Sequence, residues 1–107
     1  MGLTVPLVDK WLLQNVASGT SAAVDVAGCA NLTFYAVGGA GVSAGAVTIE
    51  ESHDANYAGA WTPIGAAVTF IVGVAAPSRF AGTAKCVRAR ITTPLTGGTG
   101  GVYLVAR

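Results

Sequence analysis

Cys86-Val87-Arg88-Ala89-Arg90-Ile91-Thr92 places Val87, Ala89 and Ile91 at alternate positions and fills the positions between them with Arg88 and Arg90. In an extended chain successive side chains point to opposite faces, so the stretch reads as a strand with one apolar face and one charged face. Ala46–Glu50 repeats the pattern: Val47 and Ile49 share one face, Thr48 and Glu50 the other. If the two strands share an outer surface, Glu50 meets Arg88 and Arg90 as cross-strand pairs, or the three present a charged stripe to a neighbouring subunit, or they simply form a solvated face.

Working outward from these two stretches, further runs rich in β-branched residues lie at Trp11–Val16, Ala22–Ala27, Leu32–Val37, Ala67–Val74 and Gly101–Ala106, with a short one at Trp61–Ile64. Turn chemistry separates them: Ser18-Gly19-Thr20, Gly38-Gly39-Ala40-Gly41, Ala58-Gly59, Ala76-Pro77-Ser78 and Gly97-Gly98-Thr99-Gly100-Gly101. Glycine supplies positive φ and proline a fixed φ where a chain reverses. No long segment carries apolar residues at helical spacing. The expectation is an all-β, single-domain antiparallel β-sandwich or jelly roll of seven or eight short strands. Residues 1–16 form an N-terminal arm or first strand, and 17–107 the sandwich.

Composition points to assembly. Charged residues are 10% of the 107-residue chain, against roughly 25% in an average soluble domain. So sparse a charge set gives little to keep a free monomer soluble, and the expectation is a surface largely covered by partners. The apolar cluster Trp11-Leu12-Leu13, with Glu50, Arg88 and Arg90, supplies the candidate protein interface. A net charge of +1 leaves almost no electrostatic drive toward a phosphate backbone, so nucleic acid is set aside. Val26–Ile49 and Ala55–Ser78 are free of charge and long enough to span a bilayer, but Asn31, the Gly38–Gly41 cluster, Asn56 and Pro63 interrupt them, so no membrane partner is expected. The first six residues lack the basic and apolar order of a secretory signal, which points to synthesis in the cytoplasm.

Chemistry is sparse. The single histidine lies in Glu50-Glu51-Ser52-His53-Asp54, but adjacent positions on one strand end point to opposite faces and make a poor nucleophilic triad. Asp54-Ala55-Asn56 reads as a loop in which Asx side chains bond the backbone, not as a calcium loop. Gly97–Gly101 has neither the lysine nor the following helix of a phosphate loop and reads as a flexible hairpin tip. Cys29 and Cys86 lack metal-site spacing and read as two buried thiols, with a disulfide as the alternative. Neither catalytic residues nor a cofactor or metal is expected. Tyr57, Trp61 and Tyr103 offer flat rings to a sugar, which makes a carbohydrate-binding β-sandwich module the rival reading.

The order Ala17-Ser18-Gly19-Thr20 before Val24-Asp25-Val26, then Leu32-Thr33-Phe34-Tyr35, Val47 to Asp54, Trp61-Thr62-Pro63-Ile64, and Cys86 to Ile91 before a Gly-Thr-Gly hairpin resembles small bacteriophage virion proteins. The likeness is to capsid decoration or cement proteins of β-sandwich or jelly-roll type, and it covers most of the chain from Ala17 onward. It implies a non-enzymatic homo-oligomer, a dimer or trimer, seated on the major capsid protein at the capsid exterior and stabilising the shell, with a tail or head-fibre component as the neighbouring role. It implies no residue-level site, because such proteins bind through surfaces.

Overall fold

A computed structural model describes residues 7–107. Eight strands follow one another: β1 (Val8–Val16), β2 (Val24–Asp25), β3 (Asn31–Gly38), β4 (Ala44–Ser52), β5 (Thr62–Thr69), β6 (Ala75–Ala81), β7 (Cys86–Thr96) and β8 (Gly100–Ala106). They form two four-stranded sheets, of order β1-β8-β3-β6 and β2-β7-β4-β5, and every paired strand is antiparallel. β1 pairs with β8, β2 with β7, β3 with β6 and β4 with β5. This is one long hairpin with its tip at β4–β5, rolled up so that β3 meets β8 and β4 meets β7. Such a strand order is that of a jelly roll.

The inward faces follow from the alternation. Leu32, Phe34 and Ala36 on β3 and Val102, Leu104 and Ala106 on β8 come from one sheet, Val47 and Ile49 on β4 and Val87, Ala89 and Ile91 on β7 from the other, and all are buried in one core. Burying each larger aliphatic chain contributes about 1.5–3 kcal/mol. Phe80 on β6 joins the sheets at one margin, packing edge-on to Phe34 at 5.8 Å and against Gly65 of β5.

The edges are managed differently on each strand. β5 carries Pro63 and β6 carries Pro77, residues that an edge tolerates because one side of the strand needs no donor. β1 is interrupted by register shifts between Trp11 and Leu13 and between Leu13 and Val16. β2 is two residues long, and beyond it the β7 edge is met by an irregular segment. Leu95 N–H donates to Ala17 O, Ile91 N–H to Gly19 O, and Ser21 N–H to Ala89 O. Buried Ser21 completes this seam by accepting the Ala89 N–H on its hydroxyl at 2.9 Å.

Several sequence expectations need correction. The run Ala67–Val74 is not one strand: its first part ends β5, which starts at Thr62, and Phe70–Val74 crosses from one sheet to the other. Ala76-Pro77-Ser78 is not a turn but lies within β6, where Pro77 stands opposite Tyr35. Ala22–Ala27 keeps only Val24–Asp25 as strand. Of the stretch 1–16, residues 1–6 lie outside the described residues and 8–16 form β1, the full edge of a sheet.

Gly97–Gly101 is not a loose tip. A Cβ on Gly97 would lie 2.2 Å from Gly41 O, one on Gly98 2.4 Å from Ala40 O, and one on Gly39 2.5 Å from Thr99 O. The β3–β4 and β7–β8 turns therefore pack backbone on backbone, which only glycine permits.

Candidate functional site

Four surfaces stand out, three of which gather residues singled out by the sequence. The first is the outward face of the β2-β7-β4-β5 sheet. Glu50 stands opposite Arg88 in the ladder, and Thr48 opposite Arg90. Arg88 Nε donates to Glu50 Oε1 at 3.0 Å and Arg90 Nε to Oε2 at 2.9 Å, so both carboxylate oxygens are occupied. Glu50 is 3% exposed although it points away from the main core. The Arg88 guanidinium lies 4.3 Å from the ring centroid of Trp61, itself buried and held by an Nε1–H bond to Tyr57 O. Cross-strand pairing is thus the arrangement found. The arginines turn inward onto Glu50, and Arg90 keeps the more exposed side chain of the two, at 45%.

Trp61 is consequently no platform for a sugar, because Arg88 occupies its face. Cys86 is also buried outside the main core, its thiol donating to Ser52 O at 3.1 Å. Burial, with the carboxylates of Asp54 and Asp25, raises its pKa, against the lowering by the Ser52 bond and Lys85. Cys29 is buried within the core, and both thiols are free.

The second surface holds the histidine cluster, in the loop between β4 and β5. His53 packs edge-on to Tyr57 at 5.0 Å. Ser52 Oγ accepts the Asp54 N–H at 3.3 Å, and the Asp54 carboxylate accepts the Asn56 N–H at 3.0 Å, the local Asx bonding of a turn. Among the described residues no hydrogen bond joins Ser52 to His53, and no group of His, Cys, Asp and Glu side chains is placed to hold a metal.

The third surface is the end of the sandwich where the β3–β4, β5–β6 and β7–β8 connections meet. Phe70 is buried, and from it the chain climbs over Ile71, Val72 and Val74, which are 51%, 50% and 42% exposed. Gly38 holds this apex: it accepts the Gly73 N–H at 3.0 Å and donates its own N–H to Val74 O at 3.2 Å. A Cβ on Gly38 would lie 2.3 Å from Ile71 O. The aliphatic side chains are therefore displayed on a fixed backbone. Nothing in the sequence marks them as a surface, because an uninterrupted apolar run looks the same buried or displayed.

On the far side of β3 from the apex, Trp11 lies against Gly101 of β8 and packs edge-on to Tyr103 at 5.0 Å. The Tyr103 hydroxyl donates to the Asp9 carboxylate, and that bond, with burial and the Asp9 charge, raises its pKa. Leu12 and Leu13 instead pack partly buried against the core, so of the Trp11-Leu12-Leu13 cluster Trp11 is the exposed member. Beside Trp11 a small pocket of about 120 Å³ is lined by Gln14, Asn15, Val37, Thr99 and the backbone of Gly39, Gly100 and Gly101.

Among the described residues no helix is long and apolar enough to cross a membrane. No family model, no curated protein and no solved structure matches this chain.

Proposed function

We propose that this jelly roll is a non-enzymatic structural subunit of a virion, a capsid decoration protein that docks on the major capsid protein through the Ile71-Val72-Val74 apex. The observation that carries the reading is this set of half-exposed aliphatic side chains held by backbone hydrogen bonds to Gly38. A loose loop would fold such residues away; a fixed apex keeps them presented. The partner is a protein rather than a lipid surface, since residues 55–78 contain no lysine or arginine to meet headgroups. The jelly-roll order and the sparse charge of the chain support the same reading.

Burying the exposed halves of three aliphatic side chains contributes about 2–4 kcal/mol per contact. That is weak for one site. Repetition over a symmetric shell, with the chain itself as a dimer or trimer, multiplies it through avidity. The test is co-sedimentation with purified shells, alongside light scattering for the solution mass. Ile71→Ser with Val72→Ser is expected to abolish shell binding while melting as the parent does; shells bound equally by the variant overturn the reading.

A further inference from the structure

We propose that the pocket beside Trp11 binds one ring of a neutral sugar, with the indole as stacking face and the amides of Gln14 and Asn15 as hydroxyl partners. This goes beyond shell docking and uses different side chains, those of the β1–β8 side of the sheet rather than Ile71, Val72 and Val74.

Four observations converge. Trp11 is 38% exposed yet fixed: it lies against Gly101, where the absence of a side chain makes room for it, and meets the edge of Tyr103, itself anchored on Asp9. An exposed ring held by this second layer is pre-organised for stacking. Next, the pocket lining is mostly apolar, with Val37 beside the indole, carries polar groups on Gln14, Asn15 and Thr99, and has no charged side chain. Phosphates, carboxylates and amines would find no counter-ion in it, whereas a pyranose has an apolar C–H face for the indole and hydroxyls for neutral amides. Third, among the described residues no side-chain hydrogen bond engages Gln14 or Asn15, so both amides are open to a ligand. Finally, Asn15 is the one non-glycine residue with positive φ, at 54°, among those described. Left-handed backbone at a non-glycine residue is strained and recurs at ligand sites. Here it falls on the irregular end of β1, where the register shifts between Leu13 and Val16 and the chain turns past the pocket. The volume of about 120 Å³ admits several waters, which a single inserted ring would displace.

The experiment is a titration with glucose, galactose, mannose, rhamnose and N-acetylglucosamine, with glucuronate as the charged control, followed by the indole N–H resonances in NMR spectra. Trp61, buried and bonded to Tyr57 O, is the internal reference. The expected result is a saturable shift of the Trp11 indole with at least one neutral sugar, Trp61 unmoved and glucuronate silent. Trp11→Ala is expected to remove binding, and Gln14→Ala to weaken it about tenfold, the equivalent of one hydrogen bond. Asn15→Gly separates function from structure: it relieves the backbone, so the melting temperature holds or rises while sugar affinity falls about tenfold. A Trp11 signal unmoved by every neutral sugar overturns the proposal. So does binding that survives Trp11→Ala, or an Asn15→Gly variant that binds as the parent does.

Discussion

Glu50 and Arg88 face one another across the β4–β7 ladder, and the Arg88 Nε–H meets Glu50 Oε1 at 3.0 Å beneath the sheet's outer surface. Arg90 takes the other carboxylate oxygen at 2.9 Å, so one buried acid bridges two arginines on one strand. The cluster closes a face that would otherwise carry adjacent like charges, and Trp61 caps it through Arg88.

Glu50→Ala leaves both guanidinium groups without their acceptor. Charge-assisted bonds contribute about 1.5–3 kcal/mol each, discounted because Arg88 and Arg90 side chains are 27% and 45% exposed. The expected loss is about 2–3 kcal/mol in urea unfolding, with Arg90→Ala costing less than Arg88→Ala. Equal stability of parent and Glu50→Ala would show that the pairing only offsets its own desolvation.

Gly97→Ala is expected to cost far more than Gly73→Ala. Both glycines have positive φ, at 85° and 70°, so both variants incur roughly 1–2 kcal/mol of left-handed strain. At Gly73 the added methyl meets nothing within 4 Å, while at Gly97 it lies 2.2 Å from Gly41 O and must push the two turns apart. Thermal melts of the two variants measure the difference directly.

Neither thiol is expected to react with Ellman's reagent in the native state, and both should react once guanidinium unfolds the chain. Cys29 and Cys86 are each 1% exposed, and burial further suppresses the Cys86 thiolate. The raised Cys86 pKa means that folding favours the protonated thiol. Its contribution is fully present below the ordinary thiol value and is lost as pH climbs through the raised one.

Tyr103 should ionise above the ordinary phenol value in an absorbance titration, because its hydroxyl is donated to Asp9. The folded state prefers the protonated phenol, so this contribution to stability is complete below about pH 10 and fades as pH passes the raised value. Asp9→Ala is expected to bring the Tyr103 transition back toward the ordinary phenol range.

The alternation of Val87-Arg88-Ala89-Arg90-Ile91 and of Val47-Thr48-Ile49-Glu50 was enough to assign strands, their inward faces and the all-β class, since period-two patterning is a local property of each strand. The meeting of Glu50 with the arginines was legible only as one of three arrangements, beside an interface stripe and a solvated face. Phe70 to Ser78 was not: its residues are nearly all apolar or small, so no alternation marks where β5 ends, and Pro77 signals a turn or an edge strand equally well. Edge position is decided by which strands lie alongside, which no nine-residue window contains.

The same holds for the surfaces on which function is proposed. Trp11, Gln14 and Asn15 are close in sequence, but Gly100 and Gly101 arrive from the opposite end of the chain through the β1–β8 pairing. Ile71 and Val72 are displayed because Gly38, more than thirty residues earlier, fixes the backbone beneath them. Local patterning is written by the pleat of each strand. Register, edge and exposure come from pairings between distant strands, whose energies depend on every partner at once, and only the rolled-up hairpin brings those partners together.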